Sequence, residues 1–244
     1  MSDASARDGN TLVLLPGFMC DADLWTDVTP HLDTRWRAEH GDLFQDSSIE
    51  AMAARVLAAA PRRFVAVGFS MGGFVAREMA LRAPERISAL VLIATSAMGT
   101  SPERSAVNRQ RRARIADAPF RGLSRTDLRR ALHPSRQGEE RLVERMLAMG
   151  ARLGKDVLLR QLAAEREDGH GRLKDIGCPT LVIAADADAL RPRGETDRLA
   201  AGIPGARYEI IADCGHMIPM ERPAALAEQL NGWLPQAVPA TASG

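Results

Sequence analysis

Apolar positions along this 244-residue chain fall into two patterns. The first is a set of short, unbroken apolar runs closed by turn formers. One is Thr11–Leu15 (TLVLL), ended by Pro16 and Gly17; another is 63–67 (RFVAV), stopping at Gly68. Three more are 89–94 (ALVLIA), Thr180–Ala185 (TLVIAA) and Arg207–Ile211 (RYEII). Runs this short and continuous predict strands buried on both faces. The second pattern is helical. Within 48–60, Ile49, Met52, Ala53, Val56 and Leu57 recur at three- and four-residue spacing, with Ser47 or Ser48 placed to cap the helix. Stretches 73–82, 195–201 and 224–234 predict further helices. Continuous apolar strands alternating with helices imply an α/β fold, a parallel sheet covered on both faces.

Residues 98–172 break the alternation. They hold no convincing strand, and their apolar residues sit at helical spacing, as in Leu142, Val143, Met146 and Leu147, or Leu158, Leu159 and Leu162. The expected organisation is therefore a core made of 1–97 and 173–235, a helical insertion at 98–172, and a disordered tail at 236–244 rich in Pro, Ala, Ser and Thr. With 45% hydrophobic residues, the chain can fill one sizeable core.

Composition narrows the class. No apolar run approaches the roughly 18–20 residues of a membrane span. The polar first ten residues lack a secretory pattern, so the chain reads as cytoplasmic, with no membrane partner. Cys20, Cys178 and Cys214 are odd in number and widely spaced, which fits neither a disulfide framework nor a metal cluster. Cys214, two residues before His216, is read as a small buried apolar residue rather than a reactive thiol. A net charge of +1 argues against nucleic acid as a partner. The charge is uneven, however: from Ser101 to Arg172 there are 17 Lys and Arg against 10 Asp and Glu. Such an excess is either a solvated helical face or a field that steers acidic ligands.

The strongest chemical signal is Gly68-Phe69-Ser70-Met71-Gly72, a G-x-S-x-G match between a predicted strand and a predicted helix. A nucleophile at the tip of so sharp a turn sits on strained backbone, and glycines two residues away on each side remove Cβ atoms that would collide. The hydroxyl then projects at a helix N-terminus, where developing negative charge is favoured.

A serine hydroxyl needs a base within hydrogen-bond reach. Of five histidines, His216 follows the last apolar strand and precedes the terminal helix, which puts it on the same sheet edge as Ser70. His133 and His170 fall in the insertion and are read as surface residues; His31 and His40 carry no specific signal. The acid that orients the imidazole falls between serine and histidine in chain order. Asp186 and Asp188 both follow the strand ending at Ala185, and spacing does not choose between them; Asp213 is a weaker third.

These segments together resemble the α/β-hydrolase superfamily, specifically its small bacterial members with a helical cap, over roughly 10–234. The oxyanion segment of that family is matched by Leu14-Leu15-Pro16-Gly17-Phe18, its elbow by 68–73, and its acid segment by Ala185-Asp186-Ala187-Asp188 with Pro192. Its closing motif is matched by Gly215-His216, Glu221 and Pro223. The resemblance favours Asp188 over Asp186. It implies a mostly parallel sheet trimmed to about six strands and flanked by helices, and an oxyanion hole formed by the backbone N–H groups of Phe18 and Met71. It also implies a substrate site lined by Phe18, Met19 and Met71, while Trp25, close behind the oxyanion loop, either walls that pocket or packs in the core. Pro16 and Ala185 depart from the family's usual His and Gly.

The implied activity is that of a serine hydrolase cleaving a carboxylic ester or lactone through an acyl-enzyme, with no metal or organic cofactor. A second reading is a hydrolase or lyase of a carboxylate-bearing substrate such as an enol-lactone or a C–C bond, gripped by Arg109, Arg112, Arg125 and Arg129. Acyl transfer and non-catalytic ligand binding are the remaining alternatives. The expected partner is a small-molecule acyl substrate; nothing in the sequence sets an oligomeric state.

Overall fold

The computed structural model describes residues 10–239. In chain order the elements are β1 (Thr11–Leu15), β2 (Arg37–His40), α1 (Ile49–Ala59), β3 (Phe64–Phe69), α2 (Met71–Arg82) and β4 (Ile87–Ile93). There follow α3 (Pro102–Ala116), α4 (Arg125–Arg130) and α5 (Glu140–Ala163). The chain ends with β5 (Thr180–Ala185), α6 (Arg193–Gly202), β6 (Arg207–Ile211), α7 (Ile218–Glu221) and α8 (Pro223–Ala237). Six strands form one sheet in the order β2-β1-β3-β4-β5-β6, every pair parallel.

Side-chain alternation explains why the strands read as unbroken apolar runs. On β1, Leu12 and Leu14 face one core with Val65, Val67, Val91, Leu181 and the apolar side of α8. Val13 and Leu15 face the other with Ala66, Leu90, Val182 and residues of α1 and α2. Both faces are thus covered, and every residue of β1, β3, β4 and β5 is buried. The edges differ. β2 (RAEH) carries no apolar run, is partly exposed, and pairs only with β1, from Thr11↔Arg37 to Leu14↔His40. Hydropathy does not reveal it for that reason.

Strand order positions the site. The chain steps from β1 outward to β2 and then returns to place β3 on the other side of β1. The carboxyl ends of β1 and β3 therefore form the crevice at which an open parallel sheet binds ligands. Pro16 to Cys20 leave from β1 at that point and Ser70 from β3.

Between β4 and β5 the described chain is helical, without a strand. Its ends are tied together: Thr100 N–H donates to the Arg166 carbonyl at 2.7 Å, and Arg166 N–H to Thr100 Oγ1 at 2.9 Å. α5 is bent at Gly154, whose φ of 75° is left-handed. Before the bend, Leu142, Val143, Met146 and Met149 join the main core. After it, Val157, Leu158 and Leu162 pack on Met19 and Phe18. Arg145 reaches Asp23 at 2.9 Å and also pairs with Asp27, while Arg152 reaches Asp21 at 2.7 Å. The insertion is thereby fastened to the loop after β1.

α8 runs to Ala237, so Gln236 and Ala237, expected in a disordered tail, form the last turn of that helix. Residues 240–244 of that expected tail lie outside the described residues. No helix among the described residues is long and apolar enough to cross a membrane.

Candidate active site

The β3–α2 turn follows from local sterics. Ser70 has φ 50° and ψ −109°, outside the regions that L-residues prefer. Its N–H donates to the Ile93 carbonyl at 2.9 Å, and its carbonyl accepts from Thr95 Oγ1 at 2.8 Å, so flanking backbone holds the strained residue in place. The two glycines of the motif are required by contact. A Cβ at Gly68 would lie 2.4 Å from the Gly72 carbonyl oxygen, and one at Gly72 would lie 2.3 Å from that of Leu15. Gly72→Ala is accordingly expected to destabilise the fold by about 3 kcal/mol, the upper end for an overpacked core. A thermal or denaturant melt checks it; a variant as stable as wild type would mean that the turn tolerates more space than its contacts allow.

His216 lies between β6 and α7, and Asp188 follows β5. The His216 Nε2 is 3.0 Å from Ser70 Oγ, and its Nδ1 is 2.7 Å from Asp188 Oδ2. All three side chains are buried or nearly so. The second Asp188 oxygen, Oδ1, accepts the backbone N–H groups of Leu190 and Arg191, each at 2.8 Å, which fixes the carboxylate plane. The Phe69 ring packs 5.1 Å from the imidazole, centroid to centroid. The hydroxyl, imidazole and carboxylate thus form one hydrogen-bonded line in which Nδ1–H donates to Asp188 and Nε2 is left to accept from Ser70.

The three candidate acids are separated by what each touches. Asp186 does not reach His216: its carboxylate accepts the N–H groups of Asp213 at 2.9 Å and Cys214 at 3.0 Å. Partial burial raises this carboxyl, but those backbone N–H groups outweigh it and hold the group below the usual aspartate value. Asp186 thus pins the loop that carries His216, while the Asp213 side chain is exposed.

Glu221, of the closing motif, is 4% exposed and sits under the same loop. It accepts Gly215 N–H at 3.1 Å and, from the insertion, His133 N–H at 2.8 Å. Burial pushes its carboxyl up, against these donors and the nearby Arg136. His216 N–H donates to the Ala131 carbonyl at 2.8 Å, so the end of α4 also holds the histidine loop.

On the other side of Ser70, Met71 begins α2 and its N–H has no acceptor within the helix. The loop after β1 turns at Met19, whose φ is 54°. Met19 N–H donates to Gln161 Oε1 at 2.8 Å, and Gln161 Nε2 donates to the Leu43 carbonyl at 3.3 Å. Gln161 is 4% exposed and lines the same cavity. Sequence reasoning did not single it out; its one signal is a polar residue on the otherwise apolar face formed by Val157, Leu158 and Leu162. Gln161→Leu leaves Met19 N–H and the Leu43 carbonyl unpaired. We expect it to lower stability by about 1–3 kcal/mol and to impair any activity that depends on this loop. Melts and steady-state kinetics check both.

A cavity of about 500 Å³ opens beside Ser70 and His216. Phe18 and Met19 line it; Trp25 and Met71 do not. Trp25 is 1% exposed and packed in the core with Leu24 and Val28, not against the cavity. The Met71 side chain belongs to the core cluster of Val13, Leu15 and Phe74 instead.

The expected arginine grip also lies elsewhere. None of Arg109, Arg112, Arg125 and Arg129 lines the cavity. Arg125 pairs with Glu144 at 2.8 Å and with Glu140, Arg129 pairs with Glu140, and Arg109 bonds Ser105 at 2.8 Å. The helix faces that carry Arg125 and Arg129 point at the acids of α5, not inward. The arginines that do line the cavity are Arg104, Arg111, Arg130, Arg166 and Arg191.

His133 and His170 bond Ser135 and Asp168, outside the cavity. Burial pushes the Cys214 thiol well above its ordinary value and that of Cys20 up to about 12, so neither is a thiolate at neutral pH. Among the described residues no three His, Cys, Asp or Glu side chains group as metal ligands.

A parallel sheet whose carboxyl edge gathers a strained serine, an aspartate and a histidine in that chain order defines a class, and residues 33–223 match the model of the alpha/beta hydrolase fold. The chain belongs to that family. It is 30% identical over 263 residues to a pimeloyl-[acyl-carrier protein] methyl ester esterase of Edwardsiella ictaluri, covering 94% of this chain and 95% of the relative. A 93-residue stretch is 42% identical to the enzyme of the same name from Klebsiella pneumoniae, spanning about a third of each chain (35% and 36%). Among solved structures, a thermophilic esterase from Thermogutta terrifontis superposes with a TM-score of 0.84 at 27% identity, covering 95% of this chain and 91% of that one.

Proposed function

We propose that this protein is a serine hydrolase of carboxylic esters or lactones, with Ser70 as nucleophile, His216 as general base and acid, and Asp188 as the group that orients the imidazole. The observation that carries the reading is the unbroken line from Ser70 Oγ through His216 to Asp188, at 3.0 and 2.7 Å, opening on a cavity. The similarity to proteins named as esterases supports the choice of ester bonds.

In the first half-reaction His216 Nε2 takes the Ser70 proton as Oγ attacks the substrate carbonyl carbon. The oxyanion of the tetrahedral intermediate accepts hydrogen bonds from Phe18 and Met71 N–H, and His216 returns the proton to the departing alcohol oxygen. Water then attacks the acyl-enzyme, giving up its proton to His216, which delivers it to Ser70 as the acid leaves. Asp188 keeps Nδ1 protonated throughout and stabilises the imidazolium. Residues 98–172 act as the cap of this site, since α5 supplies Gln161 to the oxyanion loop and α4 borders the cavity.

Turnover of a short series of 4-nitrophenyl esters and of simple lactones by the purified protein tests the reading. Hydrolysis with saturation is expected. A folded protein that turns over none of them, and whose rate does not respond to added alcohol or thiol acceptors, would overturn it.

A further inference from the structure

Three of the five arginines at the cavity act on one another electrostatically. Arg166 follows the end of α5, Arg191 follows the Asp188 turn, and Arg104 lies in the first turns of α3. All three line the cavity that holds Ser70 and His216. Several arginines of the insertion are matched to acids, as Arg125, Arg129, Arg136, Arg145 and Arg152 are. Arg104, Arg166 and Arg191 make no ion pair among the described residues. The Nε atoms of Arg166 and Arg191 are enclosed and have no hydrogen-bond acceptor.

The cluster is held close to the nucleophile. The Arg166 guanidinium stacks 4.6 Å from the Phe74 ring centroid and that of Arg191 lies 5.9 Å from it. Phe74 is one helical turn beyond Ser70 on α2, so the positive charge gathers beside the elbow. Arg77 stacks on the same ring at 5.1 Å, with its Nη1 donated to the Ser96 carbonyl. Burial, then the charges of Arg191, Arg104 and Arg77, push the Arg166 guanidinium down to about 9, which leaves it cationic at neutral pH. Glu195 and Asp188 act on these groups only at longer range, and the cavity's acidic lining residue, Asp127, is exposed on α4.

Like charges crowded into a partly enclosed site, with donors left unpaired, oppose folding unless an anion completes them. A planar guanidinium fork matches a carboxylate in particular. We propose that Arg104, Arg166 and Arg191 form a carboxylate-binding subsite of the Ser70 cavity, so that the ester hydrolysed carries a free carboxylate on the same molecule. This assignment rests on the hydrolase reading above for its substrate, but not for its anion.

The test compares mono-4-nitrophenyl adipate with the diester made by capping its free acid as a methyl ester. The expected kcat/KM ratio favours the free acid by on the order of 10- to 100-fold, the range for hydrogen bonds to a charged group. Arg166→Met and Arg191→Met bring that ratio close to one, whereas Arg125→Gln, which alters only exposed pairs with Glu140 and Glu144, keeps it. Adipate, added to Ser70→Ala, raises Tm where 1,6-hexanediol does not, and Arg166→Met removes the shift. Because it deletes an unpaired cation, Arg166→Met without ligand melts no lower than its parent, which separates a ligand subsite from a structural prop. Equal turnover of the two esters, or a Tm shift with inorganic phosphate and none with adipate, overturns the proposal. If no ester is hydrolysed the hydrolase reading fails, and the adipate shift alone still decides the subsite.

Discussion

Ser70→Ala is expected to lower turnover of a 4-nitrophenyl ester by at least about 10⁴-fold, as loss of a nucleophile that works in concert with its base does elsewhere. The protein should remain folded. Alanine keeps the Cβ, and the bonds that hold this turn are made by the Ser70 backbone to Ile93 and Thr95, not by its hydroxyl. His216→Ala is expected to lose about as much activity as Ser70→Ala, and the double variant little more, because the two residues act as a unit. Steady-state kinetics together with melts check this. An alanine variant retaining a tenth of the wild-type rate would mean that the hydroxyl facing His216 is not the attacking group.

The second large effect separates two aspartates that are two residues apart. Asp188→Asn puts an amide against His216 Nδ1 and favours the tautomer with its proton on Nε2, which can no longer accept from Ser70; the expected loss in kcat is about 10⁴-fold. Asp186→Asn is expected to behave differently. Its carboxylate receives two backbone N–H groups, from Asp213 and Cys214, and a single amide oxygen serves them less well. Stability should fall by about 1–3 kcal/mol, with activity reduced only as far as the His216 loop loosens. The contrast between a kinetic and a stability defect is the readout, and the reverse assignment of the two would contradict the geometry described above.

Much of this site was legible before any coordinates because chemistry and backbone sterics write the same residues. A serine on a strained strand-to-helix turn needs Gly68 and Gly72, and the contacts a Cβ would meet there are the physical content of that motif. Five strands were visible as runs, because four of them are buried on both faces and β6 has an apolar end. β2 was not, since an edge strand made of Arg-Ala-Glu-His is recognised only through its pairing with β1.

Long-range geometry was equally out of reach of pattern. Asp186 and Asp188 share a loop and a charge; spacing did not separate them, the family resemblance pointed to Asp188, and the position of the imidazole shows what each touches. A count of basic residues shows that residues 101–172 carry excess charge but not which arginines face inward. Arg125 and Arg129 meet glutamates across a helix pair, while Arg166 and Arg191 lie on opposite sides of β5 in the chain and converge only in the fold. Gln161 is the same case: its role depends on Met19, 142 residues away in the chain.

The most direct test of the central claim is labelling with a fluorophosphonate, followed by digestion and mass mapping. Cleavage after Arg63 and Arg77 releases 64–77 (FVAVGFSMGGFVAR), in which Ser70 is the sole hydroxyl residue. The account predicts one phosphonyl adduct per chain on that peptide, formed by the wild type, absent from Ser70→Ala, and blocked by prior incubation with a turned-over ester. Stoichiometric labelling at another residue, or none by the folded wild type, would contradict it.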